Sequence, residues 1–571
     1  MRFGLSALAT VILLGTCGCT PADRPAEADL VLRGGRVVTV DPQLPEATAL
    51  AVSGGRIVAV GDDRAIGRRI GPRTRVLDLA GRLAIPGLVE SHGHLVSLGE
   101  SLDRLELVST RTWDEVVARV AERAATLPKG TWIVGRGWHQ EKWDAIPEGA
   151  IGGFPTREIL DRAVPDHPVL LTHASGHAAI ANVAALEAAG IAAGTPDPEG
   201  GKIERYPDGR PTGLLHENAE AVVDRARLAG SSPEGRRRDL EAAAERALAE
   251  AARHGITSFH DAGATFETVE VLDRLAAEGR LPIRVRVMLS EPAAALEARG
   301  ASYRKIDAHD GLLTVRTIKR WADGALGNRG AWLLAPYSDA PAQTGMPVTP
   351  ADELERTARF AAHSGFQLAV HAIGDRANRE ILDLYERHLP AAGPDPRWRI
   401  EHAQHLSPAD IPRFAELGVI AAMQGIHCAS DGPWVPSRIG ARRAEEGAYV
   451  WRSLRDSGAV IANGTDVPVE AIDPFANFVA LISRRLPGGT AFHPEQALGR
   501  GEALEAYTLA GAYASFDERN TGSLTPGKRA DIAVLSRDIL SVPIEEIADT
   551  EVVWTIVGGT IVHERADGVR P

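Results

Sequence analysis

Cysteine is nearly absent from this 571-residue chain: of three, Cys17 and Cys19 lie in the first twenty residues and only Cys428 remains in the body. No intramolecular disulfide can form in that body, even in an oxidising compartment, so the fold must stand on packing and on any metal it binds. Basic charge is not in excess either. The 63 Lys and Arg against 76 Asp and Glu leave a formal net charge of −13, which argues against nucleic acid and anionic lipid surfaces as partners. Runs of one charge sign, repeats and low-complexity tracts are lacking. Long apolar runs are lacking too: the stretch at residues 5–14 (LSALATVILL) is too short to span a bilayer comfortably, which makes a permanent transmembrane anchor the weaker alternative. What is present is enough chain for one large domain and at least one smaller companion.

The first twenty residues differ from the rest. Arg2, the apolar segment 5–14 and the small residues leading into Cys17 and Cys19 form an export signal. The stretch GTCGC resembles the lipobox of bacterial lipoproteins, in which a cysteine after a small residue is lipidated and becomes the mature N-terminus. Cys19 after Gly18 fits that pattern, giving a signal peptide over 1–19 and a polar tether over 20–28. Thr16 stands where the pattern usually has Leu, so plain secretion, and Cys17 as the acceptor, stay open. Thr20, where Asp would be expected for inner-membrane retention, favours the outer membrane facing the periplasm. Contact with the membrane would then be through the N-terminal lipid only.

Beyond the tether, DLVLRGGRVVTVD, ATALAVSGGRIVAVGD and TRVLDLAG are short strand-like runs broken by Gly pairs, and the texture returns in GSLTPGKRADIAVLS and EVVWTIVGGTIVHE. Residues 29–81 and 516–565 therefore predict a small β-sandwich built from both chain ends. Between them, 82–515 alternates apolar strands with amphipathic helices, as in an α/β fold with a parallel sheet. Eight strands are predicted, at 83–92, 255–261, 283–289, 313–322, 366–371, 397–402, 417–424 and 458–466, a count that favours a closed (β/α)8, TIM-like barrel. An insertion of mixed character, about 95–250, separates the first two and is expected to form a subdomain over the site.

His92 and His94 close the first predicted strand, His371 the fifth, His402 the sixth and Asp466 the eighth, all at the end where barrel enzymes keep their chemistry. A lone histidine at a strand end is usually a satisfied polar residue. Four with an aspartate, in barrel order, are hard to assign to packing. Imidazole nitrogen and carboxylate oxygen suit Zn²⁺ and related divalent ions. An ion with an open position lowers the pKa of coordinated water to about 7, and a nearby carboxylate can take up and redeliver the proton.

The segments IPGLVESHGHL (85–95), IKRWADGALGNRGAW (318–332), LAVHAIGDRAN (368–378), RIEHAQHLSP (399–408), MQGIHCASD (423–431), IANGTDVPV (461–469) and TGSLTPGKRADIAVL (521–535) resemble the amidohydrolase superfamily, and within it the amidohydrolase-3 group of YtcJ-like proteins. The resemblance spans nearly all of the mature chain. It implies metal-dependent hydrolysis of a non-peptide C–N bond (amide, N-acyl or formamide type) in a small molecule. It assigns the metal positions to His92, His94, His371 and His402, and the catalytic aspartate, also at the metal, to Asp466. Lys319 stands where many members carry a lysine carboxylated by CO2 that bridges two ions. One or two ions, with the carbamate in the two-ion case, therefore stay open, as does plain pairing of Lys319 with Asp323 or Asp466. Arg316 and Arg320, on the other face of that strand, are odd for a barrel interior.

Further polar residues fall in loops expected to face the substrate: Asp323 and Arg329 after the fourth strand, Gly374, Asp375 and Arg376 after the fifth, and His427 and Asp431 after the seventh. His177, in SGHAAIAN, resembles a family segment of the insertion that reaches over the metal. His139, His216 and Glu217 are weaker candidates. Two other readings stay open. Deaminases and other superfamily hydrolases use the same ligands, and a solute-binding lipoprotein would share the export signal, although it has no need of Asp466 or of ligands converging on one point. A homodimer is also left open.

Overall fold

The computed structural model describes residues 25–140, 143–173, 178–198, 201–229, 232–327 and 329–566. The signal segment with Cys17 and Cys19, and His177, lie outside the described residues.

All eight predicted barrel strands form, and they pair in parallel in chain order: β1 Leu88–Gly93, β2 Ile256–Ala264, β3 Arg284–Leu289, β4 Leu313–Trp321, β5 Gln367–Ala372, β6 Arg399–His402, β7 Ile420–Met423 and β8 Ile461–Asn463. The chain after β8 returns to β1. Asp466 N–H donates to the His92 carbonyl at 2.8 Å, and the buried Glu90 carboxylate accepts the N–H and hydroxyl of Thr465 at 2.7 and 2.9 Å. The parallel sheet is thereby nearly closed. Helices between strands stop where glycine takes a left-handed backbone: Ala351–Ser364 ends at Gly365, φ +68°, just before β5.

One prediction needs correction. The apolar run 83–92 serves two sheets. Leu83–Pro86 pairs antiparallel with Ile532–Leu535 outside the barrel, and β1 begins only at Leu88. Gly87 makes the junction, because a Cβ there would stand 2.2 Å from Thr257 Oγ1 on β2.

Two smaller sheets pack together. One holds Leu30–Arg33, Ala49–Ser53, Arg56–Gly61 and Arg75–Asp78; the other joins Arg36–Val38, Glu46–Ala47 and Leu83–Pro86 to Ile532–Leu535, Val552–Val557 and Thr560–Glu564. Leu32, Val52, Leu77, Ile532, Val534 and Trp554 share the core between them, so both chain ends contribute to one sandwich. The insertion carries its own six-stranded sheet. Its long helix Pro233–Arg253 packs on the helix Leu95–Asp103, where a Cβ on Gly99 would meet Ala243 O at 1.8 Å. No helix among the described residues is long and apolar enough to cross a membrane.

The arginines of β4 find partners outside the barrel interior. Arg316 lies over the Phe516 ring, 3.5 Å from its centroid, and the buried Arg320 donates to the Lys319 carbonyl and to Thr357 Oγ1 at 2.9 and 3.1 Å.

Candidate metal centre at the barrel mouth

The parallel strands deliver their last residues to one rim. His92 lies in β1, His371 in β5 and His402 at the end of β6. His94 follows β1, Asp466 follows β8, and His427 lies in the short helix Gly425–Asp431 after β7. The rings of His92 and His402 are 4.7 Å apart between centroids, and those of His371 and His402 4.5 Å. Asp466 Oδ1 sits 3.1 Å from His94 Nε2 and 3.5 Å from His92 Nε2, and its Oδ2 is 3.8 Å from His427 Nε2. His402 and Asp466 hold left-handed backbones, φ +74° and +61°, a conformation that costs a non-glycine residue about 1 kcal/mol or more and gathers at functional sites.

Behind these side chains stands a second layer that sets their tautomers. His92 Nδ1 donates to Glu401, which Arg399 clamps at 2.5 and 2.9 Å. His402 Nδ1 donates to Gln424 Oε1 at 2.8 Å. Both rings thus present Nε2 as a lone pair, the arrangement that orients metal-ligating histidines. His427 is wired the other way: Gln404 Nε2 donates to its Nδ1 at 2.9 Å, which leaves Nε2 carrying the hydrogen on the side of Asp466. Burial pushes His92 down to about 4 and, first among its causes, holds His371 and His402 well below the usual histidine range. Neutral imidazole is the form that binds a cation.

This donor set fits a divalent ion. One ligand atom from each of His92, His94 and Asp466 lies within 4.8 Å of the others; His402, His427 and Asp466 have the same spacing, and there His427 would have to give up its Nε2 hydrogen to bind an ion. His371 Nε2 and His427 Nε2 are buried without a hydrogen-bond partner. His371 belongs to neither trio. Lys319 is fully buried with Nζ 3.5 Å from His92 Nε2, burial lowers it to about 8, and no ion pair to Asp323 or Asp466 forms among the described residues.

Of the other loop residues, Asp323 is a buttress. Its carboxylate accepts the backbone N–H groups of Ile373, Gly374 and Trp332 at 3.0, 2.8 and 2.8 Å, with Oδ1 3.5 Å from His371 Nε2. Burial pushes it up to about 7. Arg329 is committed to Asp339 at 2.9 and 3.2 Å, and Asp431 accepts the Tyr449 hydroxyl at 2.8 Å. Asp375 accepts Leu334 N–H at 2.8 Å. His139 and His216 stay with the insertion, against His173 and Phe154. Sequence reasoning passed over Glu401, Arg399, Gln404, Gln424 and Glu90. Arg399, Glu401 and Glu90 could have been found, since a charged side chain inside a short apolar strand demands a buried partner; the glutamines carry no such signal.

A barrel with imidazole and carboxylate donors converging on its C-terminal mouth has the form of a metal-dependent hydrolase. The chain belongs to the amidohydrolase family, whose profile matches residues 75–563. It is 31% identical over 549 residues to the amidohydrolase YtcJ of Bacillus subtilis, covering 94% of this chain and 99% of that one. It is 29% identical over 547 residues to the N-substituted formamide deformylase of Arthrobacter pascens, covering 94% and 98%. The crystal structure of a metal-dependent hydrolase from Pyrococcus furiosus superimposes with a TM-score of 0.75 at 27% identity, over 90% of this chain and 100% of that one.

Proposed function

We propose that the protein hydrolyses a non-peptide C–N bond of an N-acyl or formamide-type small molecule, using Zn²⁺ or a related divalent ion. The observation that carries this is that two trios of donors, His92 with His94 and His402 with His427, meet at Asp466 in the mouth, with the His92 and His402 rings 4.7 Å apart; the formamide deformylase, similar along almost the whole chain, supports the bond type. His92, His94, His402 and His371 would hold the metal with Asp466. When bound, the ion supplies Lewis acidity and lowers the pKa of water to about 7. The residues supply the rest. Asp466 Oδ1, beside His94 and His92, takes a proton from water as its oxygen adds to the carbonyl carbon, and returns it to the departing nitrogen, so that an amine and a carboxylic acid leave. His427 Nε2–H and the buttressed loop after β5 orient the substrate.

For Lys319 the proposal is a carbamate when two ions are bound. A bare ammonium at this place opposes a cation and has no lone pair to offer, whereas loss of one proton to give the amine, followed by addition of CO2 with loss of a second, makes it an anion. A carbamate carbon signal after loading with labelled bicarbonate supports this, as does partial rescue of Lys319→Ala by short carboxylic acids; an unmodified amine in metal-replete protein overturns it. We also propose export as a lipoprotein acylated at Cys19, from the charge, apolar run and small residues of the leader. Cys19→Ala should release an active soluble exported form, and wild-type protein recovered in the cytosol with residues 1–18 attached refutes it.

The functional test is a screen of metal-loaded protein against N-formyl, N-acyl, carbamate, hydantoin and lactam compounds, with aminopurines as a counter-set. Amine and acid released from an N-formyl or N-acyl compound is the expected result. Ammonia from aminopurines without amide turnover would move the chain to deamination, and binding without any turnover would make it a receptor.

A further inference from the structure

A cavity opens among the loops that follow β4, β5, β6 and β7. It measures about 500 Å³ and is lined by Leu333, Leu406, Ile439, His405, Arg442 and Arg443, among others. The segment that carries Gln404 toward His427 in the metal centre carries His405 into this cavity.

His405 is 3% exposed, and neither ring nitrogen has a hydrogen-bond partner. Its ring is held edge-on to Tyr449, 5.5 Å between centroids. A neutral imidazole offers one N–H and one lone pair, and buried polar groups in folded proteins are ordinarily satisfied, so this one calls for a partner from the cavity. Arg443 is the second unusual group. Its guanidinium donates only to the carbonyls of Ile439, Ala335 and Pro336, at 2.5, 3.0 and 2.7 Å, and to Ser338 Oγ at 3.4 Å, and no carboxylate pairs with it among the described residues. It is a fixed positive charge with no carboxylate in contact. Two acids also line the cavity, and both are engaged: Asp375, which feels the field of Arg443, accepts the N–H groups of Leu334 and Arg376, and Glu446 faces Arg442 at 3.3 Å. Arg442 is 81% exposed, so its bond to Glu446 is a surface pair of little worth that a ligand carboxylate can replace. Leu333, Leu406 and Ile439 supply an apolar wall.

We propose that this cavity binds a small organic carboxylate, with Arg443 as its fixed positive field, Arg442 as the movable charged contact, His405 as hydrogen-bond donor and the leucines and isoleucine around the apolar body. Nothing in the mechanism uses these groups, and the site stands whether or not the C–N reading of the metal centre holds.

The test is calorimetric titration of the full-length, metal-replete protein with benzoate and with its neutral counterpart benzamide. Benzoate should bind saturably and at least tenfold more tightly than benzamide, and Arg442→Ala and His405→Phe should each weaken it about tenfold or more. Benzoate binding unchanged in both variants would place it at the metal centre and overturn the proposal. Equal affinity for benzamide, or binding of neither compound, overturns it as well. Should His405→Phe fail to fold, Arg442→Ala and Arg442→Glu carry the test, since that side chain lies at the surface.

Discussion

The two ends of the barrel both bury charge, and they treat it in opposite ways. At the N-terminal end, Arg284 at the start of β3 is clamped by Asp531 at 2.7 and 2.9 Å, and Asp531 also accepts Gly558 N–H at 2.8 Å. Arg286 meets Asp517 at 2.6 Å and the Gly311 carbonyl at 3.0 Å. Here buried charges are paired, and the pairs tie the barrel floor to the C-terminal part of the chain. At the mouth, His371 Nε2 and His427 Nε2 are buried without hydrogen-bond partners, and Lys319 Nζ lies 3.5 Å from the His92 imidazole. A folded protein leaves buried polar groups unmet mainly where something else is to meet them, so the floor reads as structure and the mouth as chemistry.

The sharpest way to break that contrast is to strip the mouth. Chelation should abolish turnover and Zn²⁺, Mn²⁺ or Co²⁺ restore it; full turnover in chelator would end the metal reading. Asp466→Asn should cost about 10²–10⁴-fold in kcat, the usual worth of a positioned proton acceptor, while bound metal is largely retained and the melting temperature does not fall. A near-wild-type kcat would mean that another group is the base. The floor should respond inversely. Asp531→Ala leaves Arg284 buried and unpaired, which is expected to cost about 3–5 kcal/mol of stability. The kcat of the folded fraction should stay as it was, as denaturant melts beside steady-state kinetics would show.

How much of this contrast could be read in advance follows from the same physics. Parallel barrel strands are buried on both faces and read as apolar runs, so all eight were legible, as were the histidines closing them. The run 83–92 misled because an apolar stretch carries no mark of which sheet it enters; the division falls at Gly87, where Thr257 leaves no room for a Cβ. Asp323 was expected to face the substrate, and its loop position does not reveal that three backbone N–H groups claim its carboxylate. Gln424 and Gln404 were silent for a similar reason, since a loop glutamine follows no periodicity. Gln424→Ala tests the layer that sequence could not supply: loss of the bond fixing His402 should weaken metal binding about 10–100-fold, measured by competition with a chromophoric chelator. Unchanged affinity would make Gln424 mere packing.

The smallest expected effect lies away from both ends, and it checks that charge pairing outside the mouth acts on stability alone. Glu502, at the start of the helix Arg500–Ala506, accepts from Arg452 and Arg455, each at 3.0 Å, and from Gly499 N–H at 2.7 Å. The Arg452 bond, working against burial, holds its carboxyl down at about 2, below the ordinary 4.5. A carboxyl whose folded pKa lies below its unfolded one stabilises the fold in full above the unfolded value, and that contribution fades as pH falls from about 4.5 toward 2. The side chain is 28% exposed, so solvent screening limits the gain to about 1 kcal/mol. Glu502→Gln should therefore melt slightly below the wild type at pH 7, with the gap narrowing as the pH is lowered through 4 to 3, and with kcat unchanged throughout. A gap that stays constant with pH would show that the variant disturbs helix packing and that the ion pair contributes nothing.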